Sequence, residues 1–169
     1  MPDQVVFWLA YAIGAVGIAV EWRSYVLYDA SAFRRWSAAG AVLWGFMYLL
    51  LGAWTAALTM SCTAARTLVS GLLTSPLRKH LIAGLFVTAF VVMTVFSWQG
   101  LVSLLPAFAV INTTLALFYL ENRSMRILML ASSIAWIIND IIWQAWPALL
   151  AESVAVLLNL RTISRMKTQ

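Results

Sequence analysis

The chain has 169 residues, of which 63% are hydrophobic and 10% are charged, and its Lys and Arg residues outnumber Asp and Glu by 11 to 6. Soluble domains carry about 45–50% apolar and about 25% charged residues, and a chain of this length has too little interior to bury so much apolar surface. The composition therefore excludes a soluble globular protein and a disordered chain, while the lone Cys62 excludes a disulfide scaffold.

Apolar runs that approach the length needed to cross the hydrocarbon core, about 20 residues, recur seven times along the chain. In chain order they cover residues 5–20, 37–53, 55–74, 80–97, 101–120, 125–143 and 147–164. The first run lacks the basic start of a cleaved signal peptide, so we interpret it as a permanent span. The sequence therefore predicts an all-α integral membrane protein, with seven transmembrane helices in a single domain over residues 1–169.

The distribution of basic residues predicts the orientation of these spans. With seven crossings, all eleven Lys and Arg residues belong to the same side of the membrane. Because basic residues accumulate on the cytoplasmic side, we expect the C-terminus in the cytoplasm and the N-terminus outside.

An internal repeat relates the second and third spans to the sixth and seventh. A shift of 92 residues places Arg34 on Arg126 and Trp44 on Trp136, with eight identities over the 28 positions 34–61. Chance matching in an apolar alphabet is the alternative. The repeat predicts three helices in residues 1–75, a linker helix in 76–98 and three helices in 99–169. Parallel repeats are related by an axis along the membrane normal and hold substrate between them, so Trp44 and Trp136 are expected to face each other or to line one cavity.

Several residues at characteristic spacings also carry a resemblance to known proteins. They are the run Leu49-Leu50-Leu51-Gly52, the run Arg66-Thr67-Leu68, Trp136, the pair Asn139-Asp140, Glu152, Asn159, Arg161 and Arg165. In these residues the chain resembles the YgjV-like bacterial inner-membrane proteins, and its 3+1+3 arrangement resembles the SWEET, PQ-loop and MtN3-type transporter superfamily. The resemblance implies a bacterial inner-membrane location and a SWEET-like fold. It also implies a sugar pocket formed by Asn and aromatic residues of the third and seventh helices, a pattern that Asn159 matches.

Polar and aromatic residues within the spans are candidates for substrate binding, because a polar group in the membrane is costly unless it pairs or lines a wet cavity. Trp44 and Trp136 offer stacking surfaces, and Asn112, Asn139 and Asn159 offer hydrogen bonds. For Asn112 and Asn159 the alternative is hydrogen bonding between helices, which contributes about 0.6–2 kcal/mol per contact.

Asp140 and Glu152 are predicted to lie in the outer third of their spans, near the same hairpin. If they approach each other, repulsion and desolvation favour a proton on one of them, which predicts a proton-sensitive site at the outer mouth. The alternative is that both carboxylates face outside water.

Arg66 and Pro106 are candidate gating residues. Arg66 lies in the inner half of the third span, where it is suited to an anionic substrate or a carboxylate; the alternative is that it reaches the lipid headgroups. Pro106 lies inside the fifth span, where loss of a helical hydrogen bond favours a kink. Ordinary tolerance of Pro in membrane helices is the alternative there.

These features predict a SWEET-like transporter that moves a small polar solute, such as a sugar or metabolite, by alternating access. The alternative is a non-transporting inner-membrane protein that interacts with or regulates another complex. The predicted partners are the lipid bilayer and a small-molecule substrate, with no nucleic acid, and homo-oligomer formation is left open. We expect neither a metal site, since His80 has no Cys, Asp or Glu close in sequence, nor a cofactor or enzymatic activity.

Overall fold

Seven α-helices form in the computed structural model, within the residues that it describes, 4–25, 30–70, 72–73, 75–120 and 122–165. They are α1 (Gln4–Tyr25), α2 (Ala30–Leu50), α3 (Trp54–Ser70), α4 (Pro76–Phe96), α5 (Leu104–Tyr119), α6 (Asn122–Ile142) and α7 (Trp146–Arg165). A short 3-10 turn, Leu101–Ser103, precedes α5. The predicted all-α class is therefore confirmed for the described part of the chain.

Prolines in the described residues all lie in the first turn of a helix. Pro76 opens α4, Pro147 is the second residue of α7 and Pro106 is the third residue of α5. In a first turn the missing N–H has little to bond within the helix, so Pro is tolerated there. Pro106 therefore lies shortly after the 3-10 turn, near the start of α5, and not in the interior of the fifth helix as the sequence predicted.

Three of the described helical segments are long and apolar enough, by length and composition, to cross a membrane. They are Gln4–Arg23, Pro76–Phe96 and Leu101–Tyr119. Helix α3 has only 17 residues, while α6 and α7 include Asp140 and Glu152. Transmembrane helices are thus supported directly for α1, α4 and α5, and membrane crossing by all seven stays a prediction.

The helices other than α4 form a closed ring of contacts. Helix α2 packs against α1 and α3, and α6 packs against α5 and α7. We call α1–α3 and α5–α7 the two triplets, as a name for two groups of consecutive helices. They meet through α1 with α7 and through α3 with α5, and α4 lies against α3 and α5.

The α2–α3 and α6–α7 turns have the same backbone structure at positions that differ by 92. Gly52 and Gln144 both have positive φ, 78° and 54°, as expected for a residue that ends a helix in the left-handed conformation. The amide bonds that close the turns correspond as well: Ala53 N donates to Tyr48 O (2.9 Å) and Ala145 N donates to Asp140 O (2.8 Å).

The largest buried cluster lies where the two triplets meet. Trp44, Met47 and Tyr48 of α2 belong to it, together with Trp136 of α6 and Phe90 of α4. Small residues permit the close contacts around this cluster. At Gly14 of α1, an added Cβ would lie 2.7 Å from the Cβ of Pro147 in α7, so the α1–α7 contact depends on glycine.

Candidate functional site

A cavity of about 460 Å³, here called the main cavity, lies among α1, α6 and α7. Trp22 near the end of α1, Arg126 near the start of α6 and Asn159 near the end of α7 line one part of it. These helix ends lie at the same end of the bundle as the first turn of α4, which carries the exposed Arg78 and Lys79. We call this end of the bundle the basic end. Since small-molecule sites measure about 300–1,000 Å³, the main cavity is large enough for a metabolite.

A smaller cavity of about 60 Å³, here called the deep pocket, lies farther from the basic end. Glu21, Trp136 and Glu152 line both cavities, which makes them neighbours. At about 30 Å³ per water molecule, the deep pocket is large enough for one or two waters.

Residues 92 positions apart lie together around the deep pocket. The pairs are Trp44 and Trp136, Tyr48 and Asp140, and Met60 and Glu152. The deep pocket is therefore at the boundary between the two triplets, since residues of α2 and α3 line it together with residues of α6 and α7.

Tyr48 and Asp140 bind each other directly across this boundary. The Tyr48 hydroxyl donates to Asp140 Oδ1 over 2.5 Å, and the Tyr48 ring stacks on Trp136 with 5.7 Å between ring centroids. Asp140 is 1% exposed and Tyr48 is 2% exposed. The alternative in which Asp140 faces outside water is thus wrong, because α2 covers its carboxylate.

The other two carboxylates of the deep pocket are also held by hydrogen bonds. Trp44 Nε1 donates to Glu21 Oε2 over 3.0 Å, which connects α2 to α1, and Ser133 of α6 is a hydrogen-bond partner of Glu152. Trp44 itself lies over Gly17, whose Cβ position would be 3.4 Å from the indole ring.

Arg126 and Asn159 connect α6 and α7 beside the main cavity. Arg126 Nη1 donates to Asn159 Oδ1 over 3.2 Å, and Asn159 Nδ2 donates to the Arg126 carbonyl over 3.1 Å. Asn159 thus lines the main cavity, as a substrate-binding residue must, and it also forms the interhelical bond that was its alternative role.

Two predicted binding residues, Asn112 and Asn139, do not line the main cavity or the deep pocket. Asn112 Nδ2 donates to the Leu128 carbonyl (2.6 Å) and to Ser132 Oγ (2.8 Å), so it joins α5 to α6. Asn139 is fully buried and lines a narrow space with Thr55 and Pro106 that has no room for a water. The geometry of Asn112 corresponds to the interhelical alternative, whereas Asn139 Nδ2 lies 3.4 Å from Asp140 Oδ1 of the same helix and Asn139 Oδ1 is buried without a hydrogen-bond partner among the described residues.

Arg66 points into the protein instead of toward the headgroups. It is 4% exposed, and its Nη1 donates to Thr114 Oγ1 (2.7 Å) and to the Val110 carbonyl (3.2 Å) of α5. Its guanidinium carbon also lies 6.0 Å from the centre of the Phe90 ring of α4. The alternative in which Arg66 reaches the lipid headgroups is wrong, because α3 turns this side chain toward α4 and α5. Arg66 also lines neither cavity.

Sequence reasoning missed Glu21 and Tyr48. Glu21 followed the predicted end of the first span, but α1 continues to Tyr25 and so holds its carboxylate inside the bundle. Tyr48 carried a usable signal, because the 92-residue shift places it on Asp140.

Comparisons with known proteins give a consistent result. A family model described as Imp-YgjV, bacterial inner membrane protein, matches residues 8–169 and so covers every helix apart from the first turn of α1. Inner membrane protein YgjV of Escherichia coli (strain K12) is 25% identical over 134 residues, which amount to 79% of this chain and 71% of that protein. No solved structure matches the chain significantly.

Proposed function

This chain belongs to the Imp-YgjV family of bacterial inner membrane proteins, and from that premise we propose that it transports a small polar solute by alternating access. The observation that carries the proposal is the pair of neighbouring cavities, which share Glu21, Trp136 and Glu152 as lining residues. The main cavity lies beside Arg126 and Asn159 at the basic end, and the deep pocket lies beside the Tyr48–Asp140 bond, nearer to the hairpin turns. A polar cavity between helices, with a buried bond on one side of it, is what one state of such a transporter requires.

The contacts between helices support a SWEET-like 3+1+3 arrangement. The 92-residue shift relates α1, α2 and α3 to α5, α6 and α7. Each contact of the first half therefore has a counterpart: α1–α2 corresponds to α5–α6, α2–α3 corresponds to α6–α7, and α3–α5 corresponds to α7–α1. All six contacts are present. Two equivalent triplets of the same orientation, with α4 as linker, account for this pattern and divide the chain into residues 1–75, 76–98 and 99–169.

Finer contacts support the same arrangement. Gly14 of α1 touches Pro147 of α7. The 92-residue shift relates Gly14 to Pro106 of α5 and Thr55 of α3 to Pro147, and Pro106 and Thr55 line one narrow space. The two crossings that join the triplets thus use corresponding positions, as rotation about a common axis requires.

Within this proposal, all seven helices cross the inner membrane, with the basic end and the C-terminus in the cytoplasm. Trp44, Trp136 and Asn159 contact the solute, while Asp140 and Glu152 line the gate and provide its sensitivity to protons. Opening toward the outside requires the Tyr48–Asp140 bond to break while the Arg126 side of the main cavity closes. Asn112, Asn139, Arg66 and Pro106 support the helices around this path.

The test of transport is flux through the purified full-length protein in proteoliposomes. Compounds that raise the melting temperature in detergent identify ligands of the folded state, and these are then offered as radiolabelled substrates. We expect saturable uptake that Trp136→Leu reduces, whereas Trp98→Leu, at the exposed α4–α5 turn, retains it. Ligands that bind without any flux would refute transport and favour the non-transporting alternative.

A further inference from the structure

The strongest chemical feature of the cavities is their distribution of charge. Glu21, Asp140 and Glu152 are the acidic residues of the described part of the chain, and all three line the deep pocket. Neither Lys nor Arg lines that pocket. Arg126 lines the main cavity and bonds Asn159. The interior end of the site therefore presents three carboxyl groups in surroundings of low dielectric constant, where an ionised carboxylate acts strongly on a bound cation.

Hydrogen bonding in the deep pocket is dominated by acceptors. The Tyr48 hydroxyl is used on Asp140 and the Trp44 indole N–H is used on Glu21. An ionised carboxylate only accepts hydrogen bonds, whereas a primary ammonium group only donates them and a quaternary ammonium group pairs with the carboxylate by charge alone. A sugar hydroxyl both donates and accepts, so it matches this surface less well than a cationic donor does.

Aromatic walls complete the site. Trp44 and Trp136 line the deep pocket, and Trp136 also lines the main cavity. Indole is the aromatic side chain that attracts cations best, and aromatic side chains are the usual partners of alkylated ammonium groups. The main cavity, about 460 Å³, has room for the remainder of a small organic molecule.

We propose that the substrate of this site is a small organic ammonium compound, whose cationic group lies in the main cavity between Glu152 and the indole of Trp136, which line both cavities. The inference rests on the proposed function, because it names the substrate class of that same cavity. It concerns binding, so it can be measured separately from transport.

The binding test compares a cation with an uncharged molecule of the same shape. Choline and putrescine are titrated into the purified full-length protein by calorimetry, together with the carbon isostere of choline, in which a tert-butyl group replaces the trimethylammonium group. We expect at least one cation to bind and the uncharged isostere to bind at least about tenfold more weakly, since the isostere lacks the cation–π contacts and the charge attraction, which together contribute about that much. A divalent metal ion and glucose serve as competing ligand classes.

A variant pair connects this binding to the cavity. Glu152→Gln keeps the shape of the side chain and removes its charge, so we expect cation affinity to fall by about tenfold or more. Ser153→Ala is the matched control, because Ser153 is the next residue of α7 and its hydroxyl donates to the Leu149 carbonyl. The melting temperature of each variant reports whether it folds.

The outcomes separate the two proposals. Cation binding that Glu152→Gln weakens, without flux in proteoliposomes, supports the ammonium site and refutes transport. Preference for glucose, the metal ion or the uncharged isostere overturns the ammonium site and leaves transport standing. Failure of both cations to bind, or cation affinity unchanged in a folded Glu152→Gln variant, also overturns it.

Discussion

Removing the Tyr48 hydroxyl is expected to open the protein on the side of the hairpin turns. Tyr48→Phe keeps the ring that stacks on Trp136 and removes the hydrogen bond to Asp140, which is 2.5 Å long and almost completely buried. The bond joins α2 to α6 across the boundary between the two triplets. A conformation in which the triplets separate there has already lost this bond, so the substitution destabilises only the closed conformation.

The expected magnitude follows from the burial of the bond. Removal of the Tyr48 hydroxyl leaves the buried Asp140 carboxyl group without this partner, and such an unsatisfied group costs about 1–3 kcal/mol. This cost applies to the closed conformation and not to the open one, so it shifts the equilibrium between them. The population of the open conformation should therefore rise by about 10- to 100-fold.

Thiol labelling measures this shift. Ala148 is buried and lines the deep pocket, so Ala148→Cys in a Cys62→Ser background reports access to that pocket. A membrane-impermeant maleimide added to the outside should label this cysteine about 10- to 100-fold faster when Tyr48→Phe is present. Tyr119→Phe is the control, because that hydroxyl contacts His80 on the exposed surface at the far side of α5.

Equal labelling rates with and without Tyr48→Phe, in proteins of the same melting temperature, would refute the role of this bond as a gate. An equal increase in the Tyr119→Phe control would refute it as well, since it would show general loosening.

Three other predictions concern packing and orientation. In a thermal unfolding assay in detergent, Gly14→Ala should lower the stability by about 1–3 kcal/mol, because the added Cβ overpacks against Pro147. Gly84→Ala is the control: an added Cβ there meets nothing within 4 Å, so this variant should be neutral or slightly stabilising. Asn112→Ala should lower the melting temperature by removing two α5–α6 bonds, about 0.6–2 kcal/mol each, and should leave ligand affinity unchanged by calorimetry; weaker binding would place Asn112 in the site after all. A fluorescent protein fused to the C-terminus should fold and fluoresce in the cytoplasm, and a fusion that is dark but accessible to protease from outside would reverse the predicted orientation.

The membrane class and the helices follow from short-range properties that the sequence contains. Apolar runs of about 20 residues become helices because a chain in lipid must satisfy its own backbone hydrogen bonds. Composition alone was less informative about whether α3 and α7 cross the membrane, because α3 is short and α7 carries Glu152.

The repeat was the most informative signal for the site. The shift of 92 residues predicted that Trp44 and Trp136 approach each other or line one cavity, and both line the deep pocket. The same shift also pairs Tyr48 with Asp140 and the turn at Gly52 with the turn at Gln144, although those pairs were not used.

The sequence by itself determined that this is an all-α protein of the inner-membrane type, and its 92-residue shift paired Trp44 with Trp136, which line one pocket. Only the tertiary structure decided that Arg66 turns inward to α5, that Asn112 bonds α6, and that Glu21 reaches the deep pocket. The physical reason is that helical periodicity assigns each side chain to a face of its own helix. The neighbour that this face meets depends on how every helix is rotated and crossed, which the packing of the whole bundle sets.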